Sequence, residues 1–296
     1  MEGKAISLRS IVAVGTFDGV HRGHQALLAE MRRRAVSRAA RVAIVTFDPP
    51  PRTVLRPDPD YRLLVSLDER LALLRRFGAG EVVVKHFDQR FASRTADDFC
   101  AELVDELGMV ELVGGPDMAF GRNRHGTPEV LREIGRRLGF EVVVLEQLTV
   151  DGAPIRSGVI RRALRDGDLA TAGRLLGHPA SLAGRVVHGD HRGRTIGFPT
   201  ANLSIDSMRL VPADGVYAVR RDSGEPGVMN VGVRPTVDGT KRVVEVHLID
   251  WQGDLYGEVL RVDLIERLRD ERRFGSLDEL VAQIKRDVER AKAVLG

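Results

Sequence analysis

Residues 11–28 of the chain, IVAVGTFDGVHRGHQALL, join an apolar run to a helix-like run through a loop with three glycines and two histidines. The β-branched residues at 11–14 predict a short strand, and the run that starts near Gly23 predicts a helix. Free N–H groups and the positive end of the dipole at a helix N-terminus attract anions. His21 and His24 are one helical turn apart and can donate to the same phosphate. The loop is therefore predicted to bind phosphate.

This segment differs from the two common phosphate-binding loops. The sequence contains no G-x-x-x-x-G-K-[ST], and no G-x-G-x-x-G follows the first strand. A simpler interpretation is that the glycines only form a tight turn and that the histidines are surface residues. The position of H-R-G-H at a strand-to-helix junction favours the phosphate site.

The first half of the chain alternates strand-like and helix-like segments. Helix starts are marked by a capping box, Ser66 with Glu69, and by caps at Thr95 and Thr127. Short runs rich in Val and Ile predict strands at 11–14, 42–47, 81–86, 110–113 and 141–145. This alternation predicts an α/β fold with a Rossmann-like, doubly wound parallel sheet. Such sheets bind ligands at the carboxyl ends of their strands, near the switch in strand order.

The second half changes to strands without intervening helices. Turn residues separate strand-like runs at 184–188, 215–220, 228–233, 242–250 and 259–268. The pattern predicts an antiparallel β-barrel, followed by a terminal helix that begins at a second capping box, Ser276 with Glu279. A helix-like connector at 160–176 joins the halves. We therefore expect two domains, residues 1–180 including the connector and residues 181–296.

Composition narrows the class of protein. The chain has 296 residues, of which 43% are hydrophobic and 29% charged, with a net charge of +3 and a single cysteine, Cys100. No apolar run approaches the roughly 20 residues that span a bilayer, and no secretory signal is recognisable, so we expect no membrane contact and a cytoplasmic location. The arginine clusters at 32–34 and 136–137 are interpreted as solvated helix faces, so no nucleic-acid partner is expected. A transient homo-oligomer is left open.

Motifs in both halves resemble one enzyme family. Residues 15–24, GTFDGVHRGH, resemble the T/HxGH signature of nucleotidyltransferases, in the form found in bacterial bifunctional riboflavin kinase/FAD synthetases. Residues 189–202, GDHRGRTIGFPTAN, resemble the riboflavin kinase signature of the same family. The resemblance covers nearly the whole chain. It implies a nucleotidyltransferase-type sheet for the first domain and a riboflavin-kinase-type barrel for the second.

The resemblance implies two consecutive reactions. The barrel is expected to phosphorylate riboflavin to FMN, and the N-terminal domain to adenylylate FMN to FAD. ATP is implied as the co-substrate of both steps and Mg²⁺ as the cofactor. The expected partners are thus small molecules: riboflavin, FMN, FAD and ATP.

Site residues follow from the same resemblance. For adenylyl transfer it implies a phosphate site in which the two histidines are catalytic, made of Gly15, Phe17, His21, His24, Ser157 and Arg161. For the kinase it implies magnesium ligands at Thr200 and Asn202, and ATP contacts at Gly189, Thr195, Thr200 and Asn202. Flavin contacts are expected at Asp117, Phe120 and Arg234.

A base for the kinase step is expected on the strand-like run 242–248, RVVEVHL. Its alternation places Val244, Val246 and Leu248 on one face and Glu245 with His247 on the other. A carboxylate that faces the interior cavity of a barrel can accept the proton of a substrate hydroxyl. The resemblance implies that Glu245 is this catalytic base, and His247 is interpreted as a structural residue.

Two segments depart from the family pattern. Residues 155–161, IRSGVIR, stand where the family has I-S-S-T-x-I-R, so that Arg156 and Gly158 replace hydroxyl residues, and Pro50 replaces a histidine. Each lost charge-assisted hydrogen bond to a phosphate costs about 1.5–3 kcal/mol. Two alternatives are therefore kept: a riboflavin kinase with a weak or inactive adenylyltransferase domain, and a non-catalytic regulator that binds flavin or nucleotide.

Overall fold

The alternating half and the strand-rich half fold separately in the computed structural model. The structure describes residues 9–150, 152–189, 196–236 and 239–296, except for the side chains of 234–236 and 239–241. Unit 1 comprises Met1–Tyr61 and Ser66–Ile155, and unit 2 comprises Arg62–Val65 and Arg156–Gly296. The functional domain limits expected from the sequence, 1–180 and 181–296, stay a prediction.

Unit 1 contains a parallel sheet with the strand order β3-β2-β1-β4-β5. Its strands are β1 (Ser10–Val14), β2 (Arg41–Asp48), β3 (Glu81–His86), β4 (Met109–Gly114) and β5 (Glu141–Val144). A short antiparallel pair follows, β6 (Thr149–Val150) and β7 (Ala153–Pro154). The order reverses between β1 and β4, so the switch point lies where the glycine loop leaves β1. The predicted fold class is confirmed for this half.

Helices connect the strands of this sheet. They are α1 (Arg22–Arg38), α2 (Pro51–Leu55), α3 (Leu67–Arg76), α4 (Gln89–Ala92), α5 (Ala96–Leu107) and α6 (Pro128–Leu138). Ser66 and Glu69 form the expected reciprocal capping box of α3, at 3.2 and 2.8 Å. Thr127 caps differently from expectation, because its hydroxyl donates to Glu129 and accepts no backbone N–H. Val12 and Leu112 of the sheet are buried against Phe99 of α5.

Unit 2 contains a closed antiparallel barrel with the strand order β10-β11-β12-β9-β8-β13. Its strands are β8 (Ala180–Val187), β9 (Ala201–Ser204), β10 (Gly215–Arg221), β11 (Pro226–Thr236), β12 (Gly239–Leu248) and β13 (Val259–Arg269). Tyr217, Met229 and Val246 fill the interior and are at most 1% exposed. The barrel is confirmed, although β9 begins within the motif 189–202 and continues to Ser204, where no strand was expected.

Three further helices lie among the described residues of unit 2. The connector expected as one helix is two, α7 (Ser157–Arg165) and α8 (Leu169–Leu176). The break comes at Gly167, which has a φ of 77°, and the side chain of Asp168 then accepts the N–H of Thr171 at 2.9 Å. The terminal helix α9 (Leu277–Leu295) packs its apolar face on the outer surface of the barrel. Ser276 caps α9, but Glu279 accepts the N–H of Gly275 and not that of Ser276.

Candidate functional site

The glycine loop of unit 1 leaves β1 in a strained conformation. The N–H of Gly15 still pairs with the carbonyl of Val45 at 3.0 Å, and the chain then turns back so that Val20 N–H reaches Phe17 O at 3.1 Å. Gly19 has a φ of 80°, but Phe17 and Val20 also have positive values, 51° and 38°. Left-handed backbone costs about 1–2 kcal/mol at a residue with a side chain. The loop therefore holds a conformation that its own sequence does not favour.

The turn brings the two histidines together at the start of α1. Their rings are stacked, with centroids 3.7 Å apart and planes 14° from parallel. His21 is buried and stands at the N-cap of the helix, and His24 is half-buried in its first turn. No acidic residue occupies that turn. The free N–H groups of the helix and both imidazoles thus lie together at the N-terminus of α1, as the sequence predicted.

Burial lowers the pKa of His24 well below its usual value of 6.5, and the neighbouring His21 lowers it further. Within the described residues, Nδ1 of His24 is buried without a hydrogen-bond partner. Two imidazoles in such contact repel each other when both are charged. An anion placed between them and the helix N-terminus would relieve that repulsion and accept their N–H groups.

The loop after β4 lies across the switch point from the glycine loop. Asp117 is exposed, and its carbonyl oxygen accepts a hydrogen bond from Arg124 at 3.0 Å. Phe120 turns inward and meets Phe99 edge to face at a centroid distance of 5.4 Å. It packs against the core of unit 1. The flavin role of both residues stays a prediction.

The remaining residues expected at the phosphate site lie in unit 2. Ser157 begins α7, and Arg161 on the same helix donates from Nε to the carbonyl of Arg62 at 2.7 Å. Gly158 has open space around the position of an added Cβ. The approach of this helix to the histidine pair stays a prediction.

A polar row crosses the outer face of the barrel. Antiparallel register pairs Glu245 with Asn202 of β9 on one side and with Asn230 of β11 on the other. Directly paired residues point to the same face, with Cβ atoms about 4.5–5.5 Å apart. The carboxylate therefore lies between two carboxamides. Asn230 was missed from the sequence, because only the strand register reveals it as a neighbour of Glu245.

The expectation that Glu245 faces the barrel interior is wrong. Val244 and Val246 occupy the interior and are at most 4% exposed, whereas Glu245 is on the opposite, partly exposed face of β12. Val228, which pairs with His247, is on this outer face and packs toward α9. A substrate can therefore reach the carboxylate only from outside the barrel.

His247 connects the strand of Glu245 to the motif 189–202. Its Nδ1 donates to the carbonyl oxygen of Pro199 at 2.8 Å, and its ring meets Phe198 edge to face. This contact fixes the residue that precedes Thr200. The arrangement agrees with a structural role for His247.

Close packing explains the glycine at position 189. A Cβ there would lie 2.3 Å from Nδ2 of Asn202, so with this carboxamide in its present position only glycine fits. Thr195 lies outside the described residues, as does the side chain of Arg234.

A cavity of about 290 Å³ opens beside this motif in unit 2. Thr200 lines it together with Val246 and Leu248, and Trp251 and Tyr256 supply aromatic walls. The ring of Tyr256 stacks on His188 at 4.1 Å. An apolar cavity with aromatic walls and a hydroxyl at one side suits a flat heterocycle that carries a polar tail.

The donor set near Thr200 suits Mg²⁺ held mainly by water and phosphate. A threonine hydroxyl and an asparagine amide oxygen are hard ligands, and Mg²⁺ keeps several waters when it binds with a nucleotide. Among the described residues, no group of three or more His, Cys, Asp or Glu could hold a metal by itself. Any metal here would therefore depend on the nucleotide for part of its shell.

Comparisons with known proteins agree on one family. A riboflavin kinase model matches residues 176–295 and an FAD synthetase model matches residues 4–159. The bifunctional riboflavin kinase/FMN adenylyltransferase of Escherichia coli (strain K12) is 43% identical and covers 97% of this chain and 93% of its own. The protein of the same description from Bacillus subtilis (strain 168) is 35% identical over 96% of this chain and 92% of its own.

One solved structure is similar over the same length. A crystal structure described as a macrolide-efflux protein from Streptococcus pneumoniae matches with a TM-score of 0.87 and 35% identity, over 97% of this chain and 95% of that one. None of the helices among the described residues is long and apolar enough to cross a membrane. Since two family models cover the two halves and the relatives match almost end to end, the chain belongs to the family of bifunctional riboflavin kinase/FMN adenylyltransferases.

Proposed function

We propose that this chain converts riboflavin to FMN in unit 2 and FMN to FAD at the histidine pair of unit 1, with ATP consumed in both steps. The observation that carries the kinase assignment is the row in which Glu245 lies between Asn202 and Asn230. A carboxylate so placed is a suitable base, and the flanking amides can bind hydroxyl and phosphate oxygens.

In the kinase step, Glu245 accepts the proton of the terminal ribityl hydroxyl of riboflavin. The hydroxyl oxygen then attacks the γ-phosphorus of ATP, the bond to the bridging oxygen breaks, and ADP leaves. The cavity beside Thr200 is the proposed place of the adenine ring. Thr200 and Asn202 would hold Mg²⁺, which supplies positive charge to the phosphates. Gly189 contributes by leaving Asn202 in position.

In the adenylyltransferase step, a phosphate oxygen of FMN attacks the α-phosphorus of ATP and pyrophosphate leaves. The protein's part is to position the reactants and to stabilise negative charge. His21, His24 and the N-terminus of α1 would donate hydrogen bonds to the phosphates, with Ser157 and Arg161 expected to complete the site. We keep Asp117, Phe120 and Arg234 as proposed flavin contacts.

The finer assignments rest on the same proposal. Riboflavin, FMN, FAD and ATP are the expected partners, and the functional domain limits are 1–180 and 181–296. A cytoplasmic location, the absence of nucleic-acid and membrane partners, and a transient homo-oligomer stay predictions.

The test follows both products by chromatography. Purified protein is given riboflavin, ATP and Mg²⁺, and in a second reaction FMN, ATP and Mg²⁺. We expect FMN and FAD from the first reaction, and FAD with pyrophosphate from the second. Glu245→Gln should abolish FMN formation and spare conversion of FMN to FAD, whereas His24→Ala should do the reverse, so each variant is the other's control. Equal loss of both steps in either variant would contradict two independent sites.

One alternative has its own support. Arg156 and Gly158 replace two hydroxyl residues of the family pattern, which favours a kinase with a weak adenylyltransferase site. Formation of FMN without FAD or pyrophosphate at any enzyme concentration would establish that alternative. Absence of both products would favour a regulator that binds flavin or nucleotide without chemistry.

A further inference from the structure

A buried arginine lies directly behind the glycine loop. Arg70, near the start of α3, is only 2% exposed. Its Nη1 donates to the carbonyl of Thr16 at 2.9 Å and its Nη2 donates to the carbonyl of Phe47 at 3.0 Å. Burial of a guanidinium is costly unless its N–H groups are hydrogen-bonded, and Nε of Arg70 is buried without a partner among the described residues.

The two acceptors mark the carboxyl ends of neighbouring strands. Thr16 lies just beyond β1 and Phe47 lies near the end of β2. The carbonyl of Thr16 also accepts a longer bond, 3.3 Å, from the hydroxyl of Thr46. One planar guanidinium thus links the carboxyl ends of two neighbouring strands, at the edge where such sheets bind ligands.

Thr16 is also the residue before the strained part of the loop. Phe17 and Val20 adopt left-handed backbone without being glycine. Such strain persists only when surrounding contacts over-determine it, and it is concentrated at functional sites. The bond from Arg70 to Thr16 is a contact of this kind, because it holds the carbonyl immediately before Phe17.

Nearby carboxylates only partly offset the cost of burying the charge of Arg70. Burial lowers the pKa of its guanidinium, and the carboxylates of Asp18 and Asp48 act in the opposite direction. A guanidinium stays charged at neutral pH in proteins. Its two bonds to the carbonyls are therefore charge-assisted, and such bonds are about twice as strong as neutral ones.

We infer that Arg70 is a positioning residue for adenylyl transfer: it holds the glycine loop in the strained form that aims His21 and the N-terminus of α1 at the nucleotide phosphates. Arg70 is too buried to touch the substrate, so it acts through the loop. This inference rests on the proposed function of unit 1.

The test compares three purified variants with the wild type in both reactions. Arg70→Met keeps the length of the side chain and removes both bonds, so we expect KM for ATP in FAD formation to rise about tenfold or more, with a fall in kcat. Arg70→Lys can reach one carbonyl and should fall between Met and wild type. FMN formation by the same molecules should stay within about twofold, because it takes place in the other unit.

Arg209→Met is the matched control. Arg209 is also buried, at 5% exposed, and donates to the carbonyl of Ser181 in unit 2 at 2.6 Å. Its loss should lower the melting temperature without raising KM for ATP in FAD formation. A general effect of removing a buried arginine would appear in both Met variants.

Two results would overturn the inference: unchanged FAD kinetics in Arg70→Met, or an equal loss of FMN and FAD formation in that variant. If Arg70→Met does not fold, Arg70→Lys decides, and wild-type constants in it would overturn the inference. A wild-type protein that makes FMN but no FAD would instead reject the adenylyltransferase assignment, so the two failures are distinguishable.

Discussion

Replacement of Gly189 by alanine tests the geometry of the kinase site with a single methyl group. The new Cβ would lie 2.3 Å from Nδ2 and 2.5 Å from Cγ of Asn202. Asn202 is held by pairing with Glu245 on one side and Val187 on the other, so its backbone has little room to move. The carboxamide must therefore shift by roughly 1 Å to regain ordinary contact.

A shift of that size at a phosphate or metal ligand costs about 100-fold in catalysis. We expect kcat/KM for FMN formation by Gly189→Ala to fall by about that factor. Conversion of FMN to FAD should be unchanged, which shows that unit 1 is intact. The assay is steady-state FMN formation at saturating ATP, combined with a melting curve.

The matched control is Gly173→Ala. Gly173 lies within α8, where an added Cβ meets nothing within 4 Å. Alanine in a helix interior is favoured over glycine by about 0.5–1 kcal/mol, so this variant should be active and slightly more stable. Kinase activity of Gly189→Ala within threefold of wild type would refute the assigned role of Asn202.

Two predictions concern stability. The pKa of His24 is lowered in the folded protein, so acid protonates this side chain in the unfolded chain first. As the pH falls below about 6.5, the free energy of unfolding should therefore decrease by up to about 1.4 kcal/mol per pH unit. Denaturant titrations of unit 1's unfolding at pH 5.5 and 7.5 measure this, and His24→Asn should lose that part of the slope; an unchanged slope in the variant would exclude His24 as its source. In unit 2, Arg269 binds both carboxylate oxygens of Asp287, which is 5% exposed, at 2.7–3.0 Å. Asp287→Ala leaves this guanidinium without its carboxylate and should lower the free energy of unfolding by about 3–5 kcal/mol. Loss of the exposed pair Glu266–Arg290 should lower it by at most about 1 kcal/mol. Similar losses from the two pairs would contradict the idea that burial makes the first pair more important.

Local sequence signals predicted the elements well where they were strong. The Val- and Ile-rich runs of unit 1 became parallel strands, and the Ser66 box starts α3 as expected. The connector was misjudged because the apolar positions on both sides of Gly167 keep helical spacing, while the break depends on one left-handed residue. The strand β9 was missed because it is short and follows a glycine-rich loop, so only its pairing partners make it a strand.

The site shows the same division between local and distant information. Alternation correctly placed Glu245 and His247 on one face of β12, but it could not tell which face is inside. Both faces of that strand are at least partly covered, since Val244 and Val246 are buried on one face and His247 on the other contacts Phe198 and Pro199. The alternation therefore shows which side chains share a face of the strand, but not which face points into the barrel. The hydrogen bonds of Arg70 join residues that are 54 and 23 positions apart in the sequence, so no local pattern predicts them.

A sheet that closes on itself has no edge strand to offer another chain. The barrel of unit 2 is of this kind, since β13 returns to β10. The outermost strands of unit 1, β3 and β5, carry charged residues engaged in ion pairs, among them Glu81 with Arg41 and Glu141 with Arg38. Such residues are a common protection against edge-to-edge aggregation. Among the described strands, these features disfavour self-association by continuation of a sheet from one molecule into the next.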